Sequence, residues 1–392
     1  MSDHTFSSIN ERRGTGCRKW DNVTEVFGAE DILPFWIADM DFLSPPAVRE
    51  ALTAKAAHGI YGYNTVDPSY IAALQHWLQN RHGWTVEAQH ILTAPGVVPS
   101  ISLAIQAFSA PGDEIIIQPP VYPPFFTCIT RNDRIVVENP LISDNGYYRF
   151  DLDDLRQKIS PRTRMLILCS PHNPVGRVWT AEELTALADI CLKNNLIILA
   201  DEIHHDLVFS GHRHIPMANI SAPVGLSTIT LVAPSKTFNI AGLHSSFIIA
   251  ADPAKYKTLT NTLNALGIGG PHLFAAAAGE AAYAKGAGWL DELLPYLAEN
   301  AAVMADYLGK HLPGVRMVKP EGTYLAWLDF REIFAFHDAL RHFLAKEARV
   351  GLNDGLTFGS PGSGFARFNF ACPRDLLLAG LERMRAAWEH RR

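Results

Sequence analysis

The local sequence around one lysine, Lys236, would suit an amine that takes part in a reaction. Lys236 follows an apolar run that ends at Ala233, and the hydroxyl residues Ser235 and Thr237 flank it. Burial or cationic neighbours at the mouth of a site lower the pKa of a lysine and free its amine to attack a carbonyl carbon. A solvated lysine in a turn would have the same local sequence, so this motif alone leaves both interpretations open.

Two further polar residues also follow apolar runs. Asp201 comes directly after the run that ends at Ala200, and Asn173 lies in a proline-rich turn after Cys169. A carboxylate can hold a proton on a pyridine nitrogen, and an amide can donate to a ring hydroxyl. A helix cap and a turn cap are the plainer alternatives for these two residues.

Two other features would suit a phosphorylated aromatic ligand. Gly96, Val97 and Val98 precede a predicted helix, and backbone amides at a helix start can bind a phosphate. Tyr122, in a segment with two proline pairs, could stack on a planar ring. An ordinary helix start and an ordinary packed aromatic would give the same sequences.

The elements around these residues predict how they are positioned. Helical and strand patterns alternate from about residue 47 to residue 285, which predicts a mainly parallel sheet covered by helices on both faces. In such sheets ligands bind beyond the carboxyl ends of the strands, so the residues above are expected to converge there. The predicted strands are Glu114–Gln118, Arg164–Cys169, Leu196–Ala200, Thr228–Ala233 and Phe247–Ala251.

The last hundred residues have a different pattern. A long helix is predicted over Trp289–Leu312, an alternating strand over Glu321–Asp329 and a further helix over Ala335–Ala348. We therefore expect two domains. Residues 47–285 would form a large domain, and residues 1–46 and 286–392 together a smaller α+β domain.

The amino-acid composition limits which classes of molecule are expected to bind the protein. The 392 residues are 48% hydrophobic and carry a formal net charge of −6, which favours neither nucleic acid nor a membrane as partner. The five cysteines are scattered and form no C-x-x-C pair, so neither a disulfide framework nor a metal site is expected. Residues 1–16 are polar and lack the apolar core of a signal peptide, so we expect a cytoplasmic protein.

The order of these residues carries a family resemblance. Gly96, Tyr122, Asn173, Asp201 and Lys236 occur in the order typical of the fold-type I aspartate aminotransferase superfamily. The resemblance extends through most of the chain. It implies a large domain with a mainly parallel seven-stranded sheet, a smaller α+β domain and pyridoxal 5′-phosphate as cofactor.

Within that superfamily the chain is similar to the MalY/PatB type of C–S lyases, the cystathionine β-lyase branch. The most discriminating stretch is the Trp-Ile-Ala-Asp-Met-Asp sequence of residues 36–41. The resemblance implies cleavage of L-cystathionine or related S-substituted cysteines to a thiol, pyruvate and ammonia. Other matching stretches are Arg12–Asp21, Tyr61–Tyr63, Gln118–Phe125, Asp201–His204, Pro234–Asn239, Glu321–Tyr324 and Gly364–Asn369.

The resemblance also implies a role for each site residue. Lys236 would bond to the cofactor aldehyde and later remove the α-proton of the substrate, while Asp201 would keep the ring nitrogen protonated. Arg367 would bind the substrate α-carboxylate, assisted by the backbone of Ala38. Tyr122 would stack on the ring, and Asn173 would bind the ring oxygen O3′ and reach the substrate carboxylate. The phosphate would be held by Gly96, Val97, Val98, Ser235 and, from the other subunit of a homodimer with shared sites, Tyr61.

Two positions depart from the superfamily pattern, and two other functions stay open. His204 takes the place where many relatives have a tyrosine that donates to O3′, and His244 the place of an arginine that neutralises the phosphate. An aminotransferase would use the same fold and the same Lys236. A regulator that kept the fold would need no cofactor, and the sequence does not say which S-substituted cysteine is preferred.

Overall fold

The computed structural model describes residues 6–391, which form fifteen strands and fifteen α-helices. The strands are β1 (Leu33–Pro34), β2 (Ile91–Ala94), β3 (Glu114–Ile117), β4 (Ile135–Glu138), β5 (Ile142–Asp144), β6 (Tyr147–Arg149), β7 (Thr163–Cys169), β8 (Ile197–Asp201), β9 (Thr228–Val232), β10 (Ser246–Ile249), β11 (Arg316–Met317), β12 (Leu325–Asp329), β13 (Val350–Gly351), β14 (Asn353–Asp354) and β15 (Phe365–Asn369). The helices are α1 (Arg18–Asp21), α2 (Val23–Phe27), α3 (Pro46–His58), α4 (Pro68–His82), α5 (Val97–Phe108), α6 (Pro124–Thr130), α7 (Leu152–Lys158), α8 (Ala181–Lys193), α9 (Ala222–Ser227), α10 (Pro234–Thr237), α11 (Pro253–Ala265), α12 (Leu273–Lys285), α13 (Ala287–His311), α14 (His337–His342) and α15 (Arg374–Glu389).

A seven-stranded sheet forms the centre of the molecule, in the order β2-β10-β9-β8-β7-β3-β4. Every strand runs in the same direction except β10, which is antiparallel to both of its neighbours. The predicted mainly parallel sheet is therefore confirmed. Its predicted strands agree with β3, β7, β8, β9 and β10 to within two residues at each end.

The register of the central strands aligns their carboxyl ends. Cys169 at the end of β7 pairs with Asp201 at the end of β8, and Asp201 pairs in turn with Leu231 of β9. The chain leaves β9 directly into α10, which carries Lys236. The segments that follow all three strands therefore start from one edge of the sheet.

Helices bury both faces of this sheet. Side chains of α5, α6 and α11 pack on one face, and side chains of α7, α8 and α9 pack on the other. Helix α8 begins with a capping box, in which Thr180 and Glu183 each bond to the other's backbone N–H. Buried apolar strands between two helical layers are what a parallel sheet requires.

A second, four-stranded antiparallel sheet has the order β11-β12-β15-β14 and packs with α13 and α15. Strand β12 begins later than predicted, at Leu325, because Thr323 has a positive φ of 67° and turns the chain. The second predicted helix of this region, Ala335–Ala348, is also shorter, since α14 ends at His342 and a π-helical turn follows. Strand β1 pairs with β13, which joins the amino-terminal segment to this part of the molecule. The division at residues 46/47 and 285/286 stays a prediction.

None of the helices within residues 6–391 is long and apolar enough to span a membrane. All five cysteines are free thiols, and four of them are buried.

Candidate active site

A cavity of about 440 Å³ opens where β7, β8 and β9 end. Ten of the residues predicted for the site line it: Ala38, Gly96, Val97, Val98, Tyr122, Asn173, Asp201, His204, Ser235 and Lys236. Arg367 lies next to this cavity and donates from Nη1 to Oδ1 of Asn173 over 3.0 Å. Segments that are far apart in sequence thus meet in one place.

The Lys236 amine is held by a backbone carbonyl. Its Nζ donates to the oxygen of Ala38 over 2.7 Å. Burial lowers the pKa of Lys236 to about 8, and the positive charge of Arg367 acts in the same direction. A lysine with this pKa is neutral in part of the molecules near pH 8, so it can accept a proton.

Asp201 is a buried carboxylate with few partners. It is 3% exposed, and its Oδ1 accepts one hydrogen bond, from the N–H of Ile203 over 3.2 Å. Burial raises the pKa of Asp201 to about 7, while the nearby Lys236 opposes that rise. The remaining acceptor positions suit a protonated ring nitrogen, which would supply both a hydrogen bond and a compensating charge.

Arg367 lies in the middle of β15 and is 4% exposed. Its Nη2 donates to the oxygen of Trp36 over 2.8 Å and to Oδ1 of Asn353 over 2.6 Å, whereas its buried Nε has no partner. Burial lowers the pKa of Arg367 to about 10, so the guanidinium keeps its charge at neutral pH. A fixed cation with an unused N–H is suited to binding a carboxylate.

Two further polar side chains of the cavity, those of His204 and Tyr122, are uncharged at neutral pH. His204 is buried, and its Nδ1 has no partner. Burial, with Lys236 and Arg367 nearby, holds the pKa of His204 well below its usual value. Burial also raises the pKa of Tyr122 to about 12. Both side chains therefore offer hydrogen bonds without a charge.

The start of α5 provides a polar end to the cavity. Gly96 precedes this helix with a φ of 148°, a conformation that favours glycine, and its N–H donates to Oγ of Ser246 over 3.1 Å. The amides of the first turn have no carbonyl within the helix to bind. Together with the hydroxyl of Ser235 they form a donor set that suits an anion.

Tyr61 is the one predicted site residue that this chain does not bring to the cavity or beside it. Its ring is 59% exposed, and its hydroxyl donates to the oxygen of Ala56 over 2.7 Å. Sequence reasoning predicted no role for Tyr324, whose buried hydroxyl donates to the oxygen of Ala38 over 3.0 Å. It also missed Trp36 and Asn353 as partners of Arg367, since nothing in either local sequence marks such a contact.

A second group of buried ionisable residues lies beside the site, centred on Asp206. Oδ1 of Asp206 accepts from Nε1 of Trp77 over 2.9 Å and is 2.8 Å from Nε2 of His82. Oδ2 accepts from Oγ1 of Thr237 over 2.7 Å and is 3.1 Å from Nε2 of His205. We call these five residues the Asp206 cluster. It adjoins the cavity through Thr237, which follows Lys236 in the chain.

Comparisons with known proteins agree with this arrangement. Residues 30–384 match the model of the family described as aminotransferase class I and II. The chain is 44% identical over 384 residues to cystathionine beta-lyase PatB of Bacillus subtilis (strain 168), which covers 97% of this chain and 99% of that protein. It is 35% identical to protein MalY of Escherichia coli (strain K12) over 96% of each chain.

A solved structure is similar in fold as well as in sequence. Cystalysin from Treponema denticola, a structure that contains a pyridoxal 5′-phosphate cofactor, superposes with a TM-score of 0.96 at 34% identity. The superposition covers 100% of this chain and 100% of that one. The likeness therefore includes both sheets and the residues that line the cavity.

Proposed function

This chain belongs to the class I and II aminotransferase family, and we propose that it is a pyridoxal-phosphate-dependent carbon–sulfur β-lyase. Its substrates would be L-cystathionine or related S-substituted cysteines, and its products a thiol, pyruvate and ammonia. The observation that carries the proposal is the nearly full-length likeness to a cystathionine β-lyase, and it is supported by Lys236, Asp201 and Arg367, which lie in or beside one cavity.

The residues of the cavity fit the cofactor. Asp201 is a buried carboxylate without a cationic hydrogen-bond partner, and Nδ1 of His204 is a buried polar atom without any. We propose that Asp201 binds the ring nitrogen, that Asn173 and His204 bind the ring oxygen and that Tyr122 stacks on the ring. The amides of Gly96, Val97 and Val98 and the hydroxyl of Ser235 would hold the phosphate. When bound, pyridoxal phosphate supplies an electron sink that stabilises negative charge at the substrate Cα.

Lys236 would move the protons of the reaction. Because its pKa is about 8, its neutral amine can take the α-proton of a bound amino acid near neutral pH. The hydrogen bond to Ala38 holds the amine near the wall formed by the amino-terminal segment. After proton removal the Cβ–S bond breaks and the sulfur leaves with the electron pair. Lys236 can then return its proton to that sulfur.

Arg367 would orient the amino acid. Trp36 and Asn353 occupy both hydrogens of its Nη2, so the guanidinium cannot rotate without losing both bonds. Its Nε–H has no partner and remains for the substrate α-carboxylate. Asn173, which accepts from Nη1, links this anchor to the residues around the ring. We propose that the backbone of Ala38 completes the carboxylate site.

An aminotransferase would use the same lysine and the same carboxylate anchor. Two relatives that match over nearly their whole lengths, at 44% and 33% identity, are named cystathionine beta-lyase, which favours elimination over transamination. The two activities differ in their second substrate, because only transamination needs a 2-oxo acid. This difference makes them separable in a single assay.

We also propose a homodimer with shared active sites, located in the cytoplasm. Tyr61 is remote from the cavity of its own chain, and it lies in an exposed apolar stretch with Ile60 (73% exposed) and Tyr63 (fully exposed). Burial of such a stretch against a second copy would be favourable. In that copy Tyr61 would reach the phosphate and the substrate.

The test is product release from L-cystathionine with pyridoxal phosphate present and no 2-oxo acid. We expect pyruvate, ammonia and homocysteine in equal amounts. Turnover that depends on an added 2-oxo acid, without pyruvate from cystathionine or from any S-substituted cysteine, would refute the lyase and favour the aminotransferase.

A further inference from the structure

The amino-terminal segment places four cations near the site, and three of them already have acceptors. Arg12 forms ion pairs with Asp39 and Asp41, and Lys19 forms an ion pair with Asp41 over 2.6 Å. Arg13 donates from Nη2 to the oxygen of Ile32 over 3.0 Å. These three side chains hold the segment in place.

Arg18 is the exception. Its exposed side chain lines the same cavity as Lys236, and within residues 6–391 its guanidinium has no hydrogen-bond acceptor and no carboxylate partner. Asp201 is the only acidic side chain among the described residues that line this cavity. The positive charge of Arg18 is therefore available to pair with a ligand in the cavity.

The contacts of Arg18 connect it with the substrate end of the site. Its Cζ lies 6.0 Å from the centroid of the Trp36 ring, and Nε1 of Trp36 donates to the oxygen of Lys19 over 3.0 Å. The backbone oxygen of Trp36 binds Arg367, the proposed anchor of the α-carboxylate. Trp36 thus contacts both the exposed guanidinium group of Arg18 and the buried guanidinium group of Arg367.

We propose that Arg18 is a specificity-determining residue that binds a carboxylate at the far end of the thioether substrate. The enzyme would then favour S-substituted cysteines with a second carboxylate, as in L-cystathionine, over neutral S-alkyl cysteines. This inference rests on the proposed lyase function. Arg367 would hold the α-carboxylate that all these substrates share, and Arg18 the group that distinguishes them.

The physical basis is a charge pair at the rim of a concave cavity. A cleft concentrates the field of the charges that line it, so such a pair is stronger than one on an open surface. We expect it to change binding roughly 5- to 30-fold, equivalent to about one to two kcal/mol. It is also screened by salt, because the Arg18 side chain is exposed. The preference for the dicarboxylic substrate should therefore decrease as ionic strength rises.

The experiment compares two substrates in the holoenzyme, L-cystathionine and S-methyl-L-cysteine, by pyruvate release. Arg18→Gln should lower the ratio of their kcat/KM values about 5- to 30-fold, mainly through a higher KM for cystathionine. Arg18→Lys should keep most of the ratio. Arg13→Gln is the matched control, since Arg13 also lies over a tryptophan, 5.3 Å from the ring of Trp20, but does not line the cavity.

Several results would overturn the inference. If Arg18→Gln lowers kcat/KM equally for both substrates, or leaves both kcat/KM values unchanged, Arg18 does not bind the far carboxylate. If the variant instead binds pyridoxal phosphate more weakly in a spectrophotometric titration, with an unchanged ratio, Arg18 serves the phosphate. If the unaltered enzyme releases pyruvate from neither substrate, the lyase proposal itself fails, and the Arg18 proposal fails with it.

Discussion

Asp201 and Asp206 are both buried aspartates near the helix that carries Lys236, yet their surroundings differ. Asp201 accepts a single backbone hydrogen bond, and burial raises its pKa to about 7. Asp206 has two partners at each oxygen. Although burial opposes it, the charge of His205 and the hydrogen bonds hold the pKa of Asp206 well below its usual value.

The difference separates groups available for chemistry from groups that stabilise the fold. Around Asp201, buried polar atoms such as Nδ1 of His204 and Nε of Arg367 lack partners within the described chain. Leaving such atoms unpaired costs free energy, which a ligand recovers when it binds. In the Asp206 cluster, by contrast, both oxygens of the Asp206 carboxylate already have side-chain partners. We therefore expect substitutions near Asp201 to affect activity and substitutions at Asp206 to affect stability.

Substitution of Lys236 by alanine should have the largest effect on activity. The proposed proton acceptor is lost, so pyruvate release should fall roughly 10³-fold or more, while the thermal unfolding temperature changes little. Lys310→Ala is the control, because Lys310 is an exposed lysine paired with Asp306. Near-normal pyruvate release by the Lys236 variant would place the base elsewhere.

Asp206→Asn should have the largest effect on stability. Breaking a buried pair costs about 3–5 kcal/mol, measurable as a lower urea midpoint. Asp206 has a pKa below 3.8 and His205 a pKa above 6.5, so the pair stabilises the fold fully between those values. That stability is lost as pH falls through the depressed pKa of Asp206, or rises through the raised pKa of His205. A stability difference that does not change with pH would contradict this ion pair.

Arg367→Gln should weaken substrate binding by an intermediate amount. Loss of a charged hydrogen-bond donor to the α-carboxylate should raise KM about 10- to 100-fold for every substrate. Arg374→Gln removes a guanidinium that binds Asn300 and Glu299, neither of which lines the cavity, and should leave KM unchanged. Equal KM effects from both variants would remove the anchor role of Arg367.

Thr237→Val should have the smallest effect. It removes one hydrogen bond to Asp206 and should cost about 1 kcal/mol of unfolding free energy, with kcat changed no more than a few-fold. The measurement is a urea titration beside a pyruvate assay. A large loss of kcat at unchanged stability would mean that the Asp206 cluster positions Lys236 rather than stabilising the fold.

The sequence predicted elements whose pattern is local. Apolar runs located β7, β8 and β9 to within two residues at each end. The rule that ligands bind at the carboxyl ends of parallel strands then predicted where Asn173, Asp201 and Lys236 meet. Their order along the chain, matched to a family, supplied what each could do.

Contacts between distant segments were not predictable in this manner. Trp36 and Asn353 hold Arg367 only because β1, β14 and β15 come together, and no window of the sequence contains all three. The Asp206 cluster likewise needs His82 from the end of α4. Strand β12 was predicted too long because the N–H of Thr323 donates to the oxygen of Leu207, a contact that alternation of residues does not encode.

The most direct test of this division measures kcat for pyruvate release and the urea midpoint for Asp201→Asn and Asp206→Asn in parallel. For the Asp201 variant we predict a loss of at least about 100-fold in kcat with an unchanged or higher midpoint. For the Asp206 variant we predict a lower midpoint, with kcat of the folded protein within a few-fold of normal. An Asp201 variant that keeps its activity, or an Asp206 variant that loses activity at an unchanged midpoint, would contradict the account.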